Sequence, residues 1–582
     1  MSPVRRLWGY FRRRQSGLWW GFLFLILSAA FSLIKPLIVG NAVDVLSEGF
    51  SRGELVRFGL LYVAAAAAQG IFLYLQRWTI IGTSRRIEYD IRGDFYEHLQ
   101  TLPQSFYSKQ RTGDLMSRAT NDLSAVRMLA GPAVMHSLSA VIVVIGSFIM
   151  MYRISPSLAS VALVAVPLVA LTAKYFGELI HDRTRIVQDY FGEISSAIQE
   201  NLAGARVVRA FSQEENQQAA FREMNRGYVD RSRSLITVTA TFRPVLELLI
   251  GIVFASIFWL GMRKILGGSI TLGEFVALQF YLMRMIWPLV AIGWVINLFQ
   301  RGLASMKRLS EVWDVPPEEK EAHDYVQVPA RRASVPEIEL RDLSFGYGSS
   351  NALHDLNLTV DPGQTIGIVG RTGSGKTTLI SLLAGIWRAP EGSILIRGVP
   401  IENLSRETLR DLIALVPQET FLFSDSIAEN IRFGREDATS DELDEVVRLA
   451  GLATDVDSFP KGLQTIIGER GITLSGGQKQ RTAIARAIVR SPDILILDDA
   501  LSAVDTETED AILGSMRSVR EGRTVIVVAH RVSSVKDADQ IIVLDDGRIT
   551  ERGNHETLLR QGGFYAGLYR RQTLESEIEE IA

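Results

Sequence analysis

Six long apolar runs, almost free of charge, occupy the first half of this 582-residue chain. A helix needs about 20 apolar residues to cross the hydrocarbon core of a bilayer. The runs are Leu18–Val43, Phe58–Ile80, Val134–Met151, Ser157–Leu171 (extendable to Phe176), Val245–Met262 and Gly273–Phe299. Helices of a soluble core keep a polar stripe, whereas the segment LWWGFLFLILSAAFSLI has none. The sequence therefore predicts a polytopic α-helical membrane domain with six transmembrane helices.

The flanks of these runs set an orientation. The N-terminal stretch RRLWGYFRRR is rich in arginine, with apolar residues between the charges. Such a stretch predicts a short interfacial helix, and the positive-inside rule places it in the cytoplasm. An even number of spans returns the C-terminus to the same side. We therefore expect a multi-pass protein of the cell (cytoplasmic or inner) membrane with both termini cytoplasmic.

The connections alternate in length. The predicted outer loops, about 44–57, 152–156 and 263–272, are short, whereas the inner ones, 81–133 and 177–244, are long and charged. Apolar residues recur at helical spacing in the first inner loop. We expect membrane helices that continue into the cytosol, with turns at GDLMSRATND and GARVVRAFSQEEN serving as docking surfaces.

The second half of the chain differs from the first in composition and in hydrophobic pattern. Residues 314–336 are rich in Pro and charge and predict a linker between a membrane domain, 1–313, and an α/β domain, 337–582. Composition excludes some classes of function. The chain has 62 basic and 65 acidic residues, so its near-neutral charge argues against a nucleic-acid partner. The absence of Cys excludes thiolate chemistry and Cys-ligated zinc.

A phosphate loop opens the α/β domain. The strand TIGIVG runs into a segment that satisfies G-x-x-x-x-G-K-[ST] and is followed by an apolar helix. The glycines let backbone N–H groups surround phosphate, Lys376 neutralises the outer phosphates, and Thr377 can ligate Mg²⁺. The predicted ATP contacts of this segment are Gly370, Arg371, Thr372, Gly373, Ser374, Gly375, Lys376, Thr377 and Thr378. The sequence therefore predicts an α/β phosphate-loop ATPase domain with ATP and Mg²⁺ as cofactors.

Two further motifs follow the phosphate loop. The strand DILILDDA ends in Asp498, where a phosphate-loop enzyme holds Mg²⁺ through a carboxylate. Before it, Ser475, Gly476 and Gly477 open a helix and so form a second anion-binding helix terminus. One nucleotide needs one such cradle, so the second is expected to serve a nucleotide held by another subunit.

These motifs resemble those of an ATP-binding cassette (ABC) half-transporter of the exporter type, over essentially the whole chain. The segment LSGGQ, Leu474–Gln478, resembles the signature motif of that family, with Leu474, Ser475, Gly476, Gly477 and Gln478 as its residues. The resemblance implies further roles: adenine stacking for Tyr347, a Mg²⁺ contact for Gln418, a γ-phosphate switch for His530, and a dimer-interface loop for Ser502 and Asp505. It also implies two chains that close head to tail around two ATP molecules.

One position departs from the family pattern. The residue after the metal-binding Asp is Glu in the family and acts as general base, whereas this chain has Asp499, one methylene shorter. Loss of general-base catalysis typically costs on the order of 10²–10⁴-fold. Together with the intact signature, this predicts the slow-site half of a heterodimer, resembling bacterial heterodimeric multidrug exporters. A tolerated conservative change remains the alternative.

The substrate is left open by the sequence, beyond amphiphilic compounds such as drugs, lipids or peptides. Arg284 and Glu247 lie within the predicted spans and are candidates for the substrate cavity or for contacts between helices. We expect ATP-driven export with a second half-transporter chain as partner. The alternatives are a homodimeric lipid or drug exporter and a regulatory membrane ATPase that transports nothing.

Overall fold

The computed structural model describes residues 2–49, 51–318, 325–348, 350–468, 474–500 and 522–581. It divides into two units, Met1–Glu319 and Lys320–Ala582. Six helices of the described residues are long and apolar enough to cross a membrane. The predicted membrane fold is therefore confirmed.

All the regular secondary structure in the described residues of the first unit is helical. Its helices are α1 Pro3–Arg13, α2 Gln15–Glu48, α3 Arg52–Thr101, α4 Gln104–Tyr107, α5 Thr112–Ser117, α6 Leu123–Met128, α7 Val134–Ile154, α8 Pro156–Ala203, α9 Ala205–Ala210, α10 Glu214–Leu266 and α11 Leu272–Trp313. Two π-helical segments, Arg118–Asp122 and Leu129–Ala133, join α5 to α6 and α6 to α7.

Three helices are far longer than a membrane is thick. α3, α8 and α10 have 50, 48 and 53 residues, so at a rise of about 1.5 Å per residue each exceeds roughly 70 Å. A bilayer core is about 30 Å thick. The helices therefore extend well beyond the hydrocarbon, as predicted, and the short helices α4, α5 and α9 form the turns at their ends.

The N-terminal helix α1 packs on the long helices rather than standing alone. Leu7 and Tyr10 are buried in a cluster with residues of α3 and α11. The Arg14 guanidinium forms two hydrogen bonds to the Asp90 carboxylate, at 2.9 and 2.8 Å, and holds the pKa of Asp90 below its usual range. The predicted short helix is present, and it is fixed to α3 by charge as well as by apolar contact.

Helices α2 and α11 cross at two glycines. A Cβ on Gly273 would lie 2.0 Å from the carbonyl oxygen of Gly40. Beside the crossing, the Asp44 carboxylate accepts hydrogen bonds from the Thr271 hydroxyl and the Gly273 N–H, both at 2.7 Å. Small residues that let backbones approach are the usual device of helix packing in membranes.

The second unit contains two sheets in its described residues. The strands are β1 Ile338–Gly346, β2 Asn351–Val360, β3 Thr365–Gly370, β4 Ile394–Ile396, β5 Val399–Pro400, β6 Ile413–Val416, β7 Ile494–Asp498, β8 Thr524–Val528, β9 Gln540–Asp545 and β10 Arg548–Gly553. One sheet is antiparallel, with the order β2-β1-β4-β5. The other has the order β10-β9-β3-β8-β7-β6 and is parallel except for β10.

The described residues of this unit also form eight α-helices. They are α12 Lys376–Leu383, α13 Arg406–Leu412, α14 Ile427–Arg432, α15 Ser440–Leu449, α16 Ala453–Ser458, α17 Gly476–Ile488, α18 His555–Gln561 and α19 Phe564–Ile581. The strand β7 shows why both faces need cover: Ile494 and Ile496 enter one buried cluster, whereas Leu495 and Leu497 enter another. A strand buried on both faces is typical of a parallel sheet between helical layers, so the predicted α/β fold is confirmed.

Candidate functional site

The loop between β3 and α12 is shaped by its glycines. Gly373 and Gly375 have φ angles of +84° and +99°, in the left-handed region that side chains with a Cβ rarely adopt. A Cβ on Gly370 would lie 2.1 Å from the carbonyl oxygen of Leu544 on β9. The buried Ser374 hydroxyl has no hydrogen-bond partner within the described part of the chain. The loop therefore keeps a tight curve and leaves a polar group for a ligand.

Lys376 turns back into this loop. Its ammonium donates to the carbonyl oxygens of Gly370, at 2.9 Å, and Arg371, at 2.8 Å. Burial lowers the pKa of Lys376, and the carboxylates of Asp498 and Asp499 oppose that shift. A cation thus lies beside backbone N–H groups at a helix N-terminus, an arrangement that suits phosphate.

Asp498 and Thr377 form a pair of oxygen donors next to the loop. Asp498 is only 4% exposed, and it accepts a hydrogen bond from the Thr377 side chain. Burial raises the pKa of Asp498, whereas the Thr377 hydrogen bond and the charges of Lys376 and His530 lower it. Mg²⁺ takes one or two carboxylates together with phosphate oxygens and water. The donor pair therefore fits a magnesium ion held jointly with phosphate.

Three further side chains converge on the same edge. The Gln418 amide nitrogen lies 3.5 Å from a carboxylate oxygen of Asp499. Asp499 is half-buried with φ of +48°, and the exposed His530 lies close enough to Asp498 to influence its charge. These residues follow β6, β7 and β8, which are neighbours in the sheet. The carboxyl ends of parallel strands meet at one edge, which is where such sheets bind ligands.

Tyr347 contacts α12 through its hydroxyl group. Its hydroxyl donates to the Thr378 hydroxyl at 3.2 Å, and its ring meets Trp387 edge to face at 4.9 Å between centroids. Even so, Tyr347 remains 53% exposed. The ring is therefore held in place next to the phosphate loop while one of its surfaces stays open.

The segment Leu474–Gln478 opens α17 with a capping box. The Ser475 hydroxyl accepts from the Gln478 N–H at 3.2 Å, and the Gln478 side chain accepts from the Ser475 N–H at 2.9 Å. Ser475 and Gly476 are exposed, whereas Gly477 is buried. Among the described residues, no hydrogen bond or ion pair links this segment to residues 370–377. The cap is thus a second helix terminus without a bonded link to the first.

Asp455 holds the start of α17 through two side-chain contacts. Its carboxylate accepts from the Gln478 amide at 2.9 Å and from the Arg481 guanidinium at 2.7 Å. Sequence reasoning missed Asp455, and also Trp387, because both contacts join residues far apart in the chain. The capping box was detectable, since a Ser followed three residues later by Gln is its pattern.

The other predicted site residues lie elsewhere. Ser502 and Asp505 fall outside the described residues. In the membrane unit, a guanidinium nitrogen of Arg284 donates to the Ser32 carbonyl, whereas Glu247 is exposed and pairs with Arg243 at 2.9 Å. No bond of the described residues joins Arg284 to Glu247.

Comparison with known proteins covers both units. Residues 18–289 match the family described as "ABC transporter transmembrane region", and residues 353–502 match "ABC transporter". The chain is 39% identical over 547 residues to the probable multidrug resistance ABC transporter ATP-binding/permease protein YheI of Bacillus subtilis (strain 168), covering 93% of each chain. It is 35% identical over 582 residues to the multidrug resistance-like ATP-binding protein MdlA of Escherichia coli (strain K12), covering 100% and 98%.

A solved structure is similar along the whole length. A bacterial Atm1-family ABC exporter with ATP bound matches with a TM-score of 0.74 and 29% identity, over 97% of this chain and 98% of that one.

Proposed function

This chain belongs to the ABC transporter family, as an exporter that couples ATP hydrolysis to transport, and from that premise we propose that it is the slow-site half of a heterodimer. The proposed cargo is amphiphilic, such as drugs, lipids or peptides. One observation carries the proposal: Asp499 follows Asp498 where the family has its general-base Glu, in the same chain as a signature helix with a complete N-terminal capping box.

The nucleotide is proposed to bind along the edge formed by the ends of β3, β7 and β8. Lys376 would exchange its carbonyl partners for the outer phosphates, and Tyr347 would present its open ring surface to adenine. Thr377, Asp498 and Gln418 would hold Mg²⁺, which supplies charge neutralisation at the phosphates. His530 would bind near the terminal phosphate.

The shortened carboxylate explains why this site would be slow. A general base must lie within hydrogen-bond reach of the proton it removes. Asp499 is one methylene shorter than Glu, and its carboxylate lies toward the Gln418 amide. Water activation at this chain's own nucleotide would therefore be inefficient, so the bound ATP would mainly hold the dimer closed.

The signature segment would serve the partner's nucleotide. Ser475 and Gly476 are exposed at the start of α17, and a helix N-terminus attracts phosphate. A partner that retains Glu would thus have a complete and fast site. Ser502 and Asp505 are proposed to lie in the interface between the two cassettes.

The assembly is tested by purification. The chain would be expressed alone and together with a half-transporter that carries Glu after its metal-binding Asp. We expect slow ATPase from the chain alone and rapid ATPase from the pair, with ATP-driven uptake of a fluorescent amphiphile into inverted vesicles. A stable dimer of this chain alone with equally rapid ATPase would contradict the heterodimer.

A homodimeric exporter is the second candidate, and the 3.5 Å contact between Gln418 and Asp499 favours it. If that contact persists with ATP bound, Asp499 lies next to a residue that is proposed to hold the Mg²⁺ of the same nucleotide. The purification and ATPase measurement described above distinguish the homodimer from the heterodimer.

Residues 1–313, 314–336 and 337–582 are proposed as membrane domain, linker and nucleotide-binding domain. The last helix of the first unit ends at Trp313, and the first strand of the second begins at Ile338. The termini are proposed to be cytoplasmic, since the arginines of α1 precede the first span.

A further inference from the structure

A cleft in the membrane unit carries two positive charges. The cleft has a volume of about 320 Å³ and lies between α2, α3 and α11. Lys35 and Arg284 both line it, together with the ring of Tyr62. Lys35 lies within the apolar run Leu18–Val43 and Arg284 within the run Gly273–Phe299, so we expect both cations at the depth of the bilayer.

Neither cation is neutralised within the described part of the chain. Arg284 donates to the Ser32 carbonyl, a neutral acceptor. The Lys35 ammonium lies 5.8 Å from the ring centroid of Tyr62, and no described carboxylate forms a salt bridge with either cation.

Two other charged residues of the membrane unit, unlike Lys35 and Arg284, have polar or charged partners. Asp44, at the end of α2, is satisfied by Thr271 and Gly273, and Glu247 pairs with Arg243 on its own helix. Cationic side chains at membrane depth are costly and usually face a partner or a water-filled cavity. Two cations without a carboxylate partner in one cleft therefore favour the binding of an anion there.

We propose that this cleft binds the anionic head group of an amphiphile, with Lys35 and Arg284 as its charge contacts. The apolar residues Val39, Phe280 and Met283 line the same cleft and suit the adjoining hydrocarbon. The inference rests on the proposed export of amphiphiles and narrows the substrate class to anionic ones, such as lipids whose head group carries a net negative charge.

Binding to the nucleotide-free, purified assembly tests this selectivity apart from transport. The probes are fluorescent phosphatidylglycerol, which is anionic, and phosphatidylcholine with the same acyl chains and label, which is zwitterionic. The variants are Lys35→Gln, Arg284→Gln and the charge-conserving Lys35→Arg. Arg263→Gln is the matched control, because Arg263 is an exposed cation at the end of α10.

We expect tighter binding of the anionic probe by the parent assembly. Lys35→Gln and Arg284→Gln should each weaken that binding about tenfold, as loss of a charge-assisted contact does, with less than a twofold effect on the zwitterionic probe. Lys35→Arg should retain the selectivity, and Arg263→Gln should change neither affinity. Dodecyl phosphate should compete, and inorganic phosphate at the same concentration should not.

Several results would overturn the inference. Equal affinity of the parent for both probes, or a parallel loss of both in the Gln variants, would exclude a head-group site. Competition by inorganic phosphate would reduce the cleft to a simple anion site. A change in the mass of the assembly in Lys35→Gln, with unaltered selectivity, would indicate a carboxylate of a second chain instead. Selective binding without ATP-driven export of either probe would contradict the proposed function and leave this site standing.

Discussion

Lys376 lies inside the loop that it is expected to close around phosphate. In the structure its ammonium contacts the carbonyl oxygens of Gly370 and Arg371. A phosphate chain can displace these neutral acceptors, because a hydrogen bond to a charged group is stronger than one to a carbonyl. The side chain is therefore already positioned for the ligand.

Replacing this lysine should weaken nucleotide binding at this chain's own site. We predict that Lys376→Ala raises the Kd of a fluorescent ATP analogue at least tenfold, since a hydrogen bond to a charged group is worth about 1.5–3 kcal/mol. Lys536→Ala is the control, because Lys536 is exposed on the same domain. Equal affinities in parent and Lys376→Ala proteins would contradict the assignment of the phosphate loop.

Asp455 should matter at the partner's site. It fixes Gln478 and Arg481 at the start of α17, so its loss frees the helix terminus that the partner's nucleotide would meet. We predict that Asp455→Ala lowers the ATPase rate of the assembled pair about tenfold while the Kd for ATP at this chain's phosphate loop stays the same. Asp457→Ala, an exposed neighbour on α16, should behave as the parent; an equal loss in both variants would show that α16 merely unfolds.

The sequence indicated residues of the candidate site but not the residues that hold them in place. The phosphate loop and Asp498 were predictable because each follows a buried strand at a fixed spacing, and the structure places them side by side. Asp455 and Trp387 were not, because each is defined by a contact with a residue that is distant in the chain. Supports of this kind depend on the fold rather than on a local pattern.

At the scale of elements, the contact between α2 and α11 depends on the absence of side chains. A Cβ at Gly273 would meet the Gly40 carbonyl oxygen at 2.0 Å and the Asp44 carboxylate at 2.6 Å. No flexible side chain can yield there, because the nearest atom belongs to the backbone. The helices would have to separate.

We predict that Gly273→Val lowers the melting temperature of the detergent-solubilised protein by several degrees and reduces its yield. Overpacking of this kind typically costs about 1–3 kcal/mol. Gly251→Val carries the same change of residue on α10, where a Cβ would meet nothing within 4 Å, and should melt like the parent. Tryptophan fluorescence during heating gives the comparison, and indistinguishable curves for the two variants would show that the crossing is not close.

Hydrophobic runs predicted the number of long helices but not their full extent. The fourth run was assigned only to Leu171 or Phe176, whereas α8 continues to Ala203. The part of α8 beyond Phe176 is polar and lacks the continuous apolar run that marked the span. The π-helical segments at Arg118–Asp122 and Leu129–Ala133 were likewise not predictable from apolar spacing, which detects helices and not their local hydrogen-bond register.

At the scale of the whole molecule, the chain has Asp499 where the proposed general base would stand, together with a complete LSGGQ segment at Leu474–Gln478. A homodimer would carry two copies of Asp499 and turn over slowly at both sites. A heterodimer would instead use this chain's capped α17 to complete the partner's site. Sequence alone could not decide between them, because the choice depends on a second chain.

Asp499 therefore provides the decisive experiment for the assembled complex. If this site mainly holds ATP, Asp499→Asn should leave most of the steady-state ATPase, whereas Gln in place of the partner's Glu should nearly abolish it. Asp499→Glu should give this site measurable hydrolysis by restoring the missing methylene. Its gain should be partial, because the φ of +48° at this position is tolerated better by Asp than by Glu. Phosphate release from the purified complexes at saturating ATP measures the ATPase rate of all three variants. If Asp499→Asn lost as much ATPase activity as the partner variant, Asp499 would be a working base and the two sites would be equivalent.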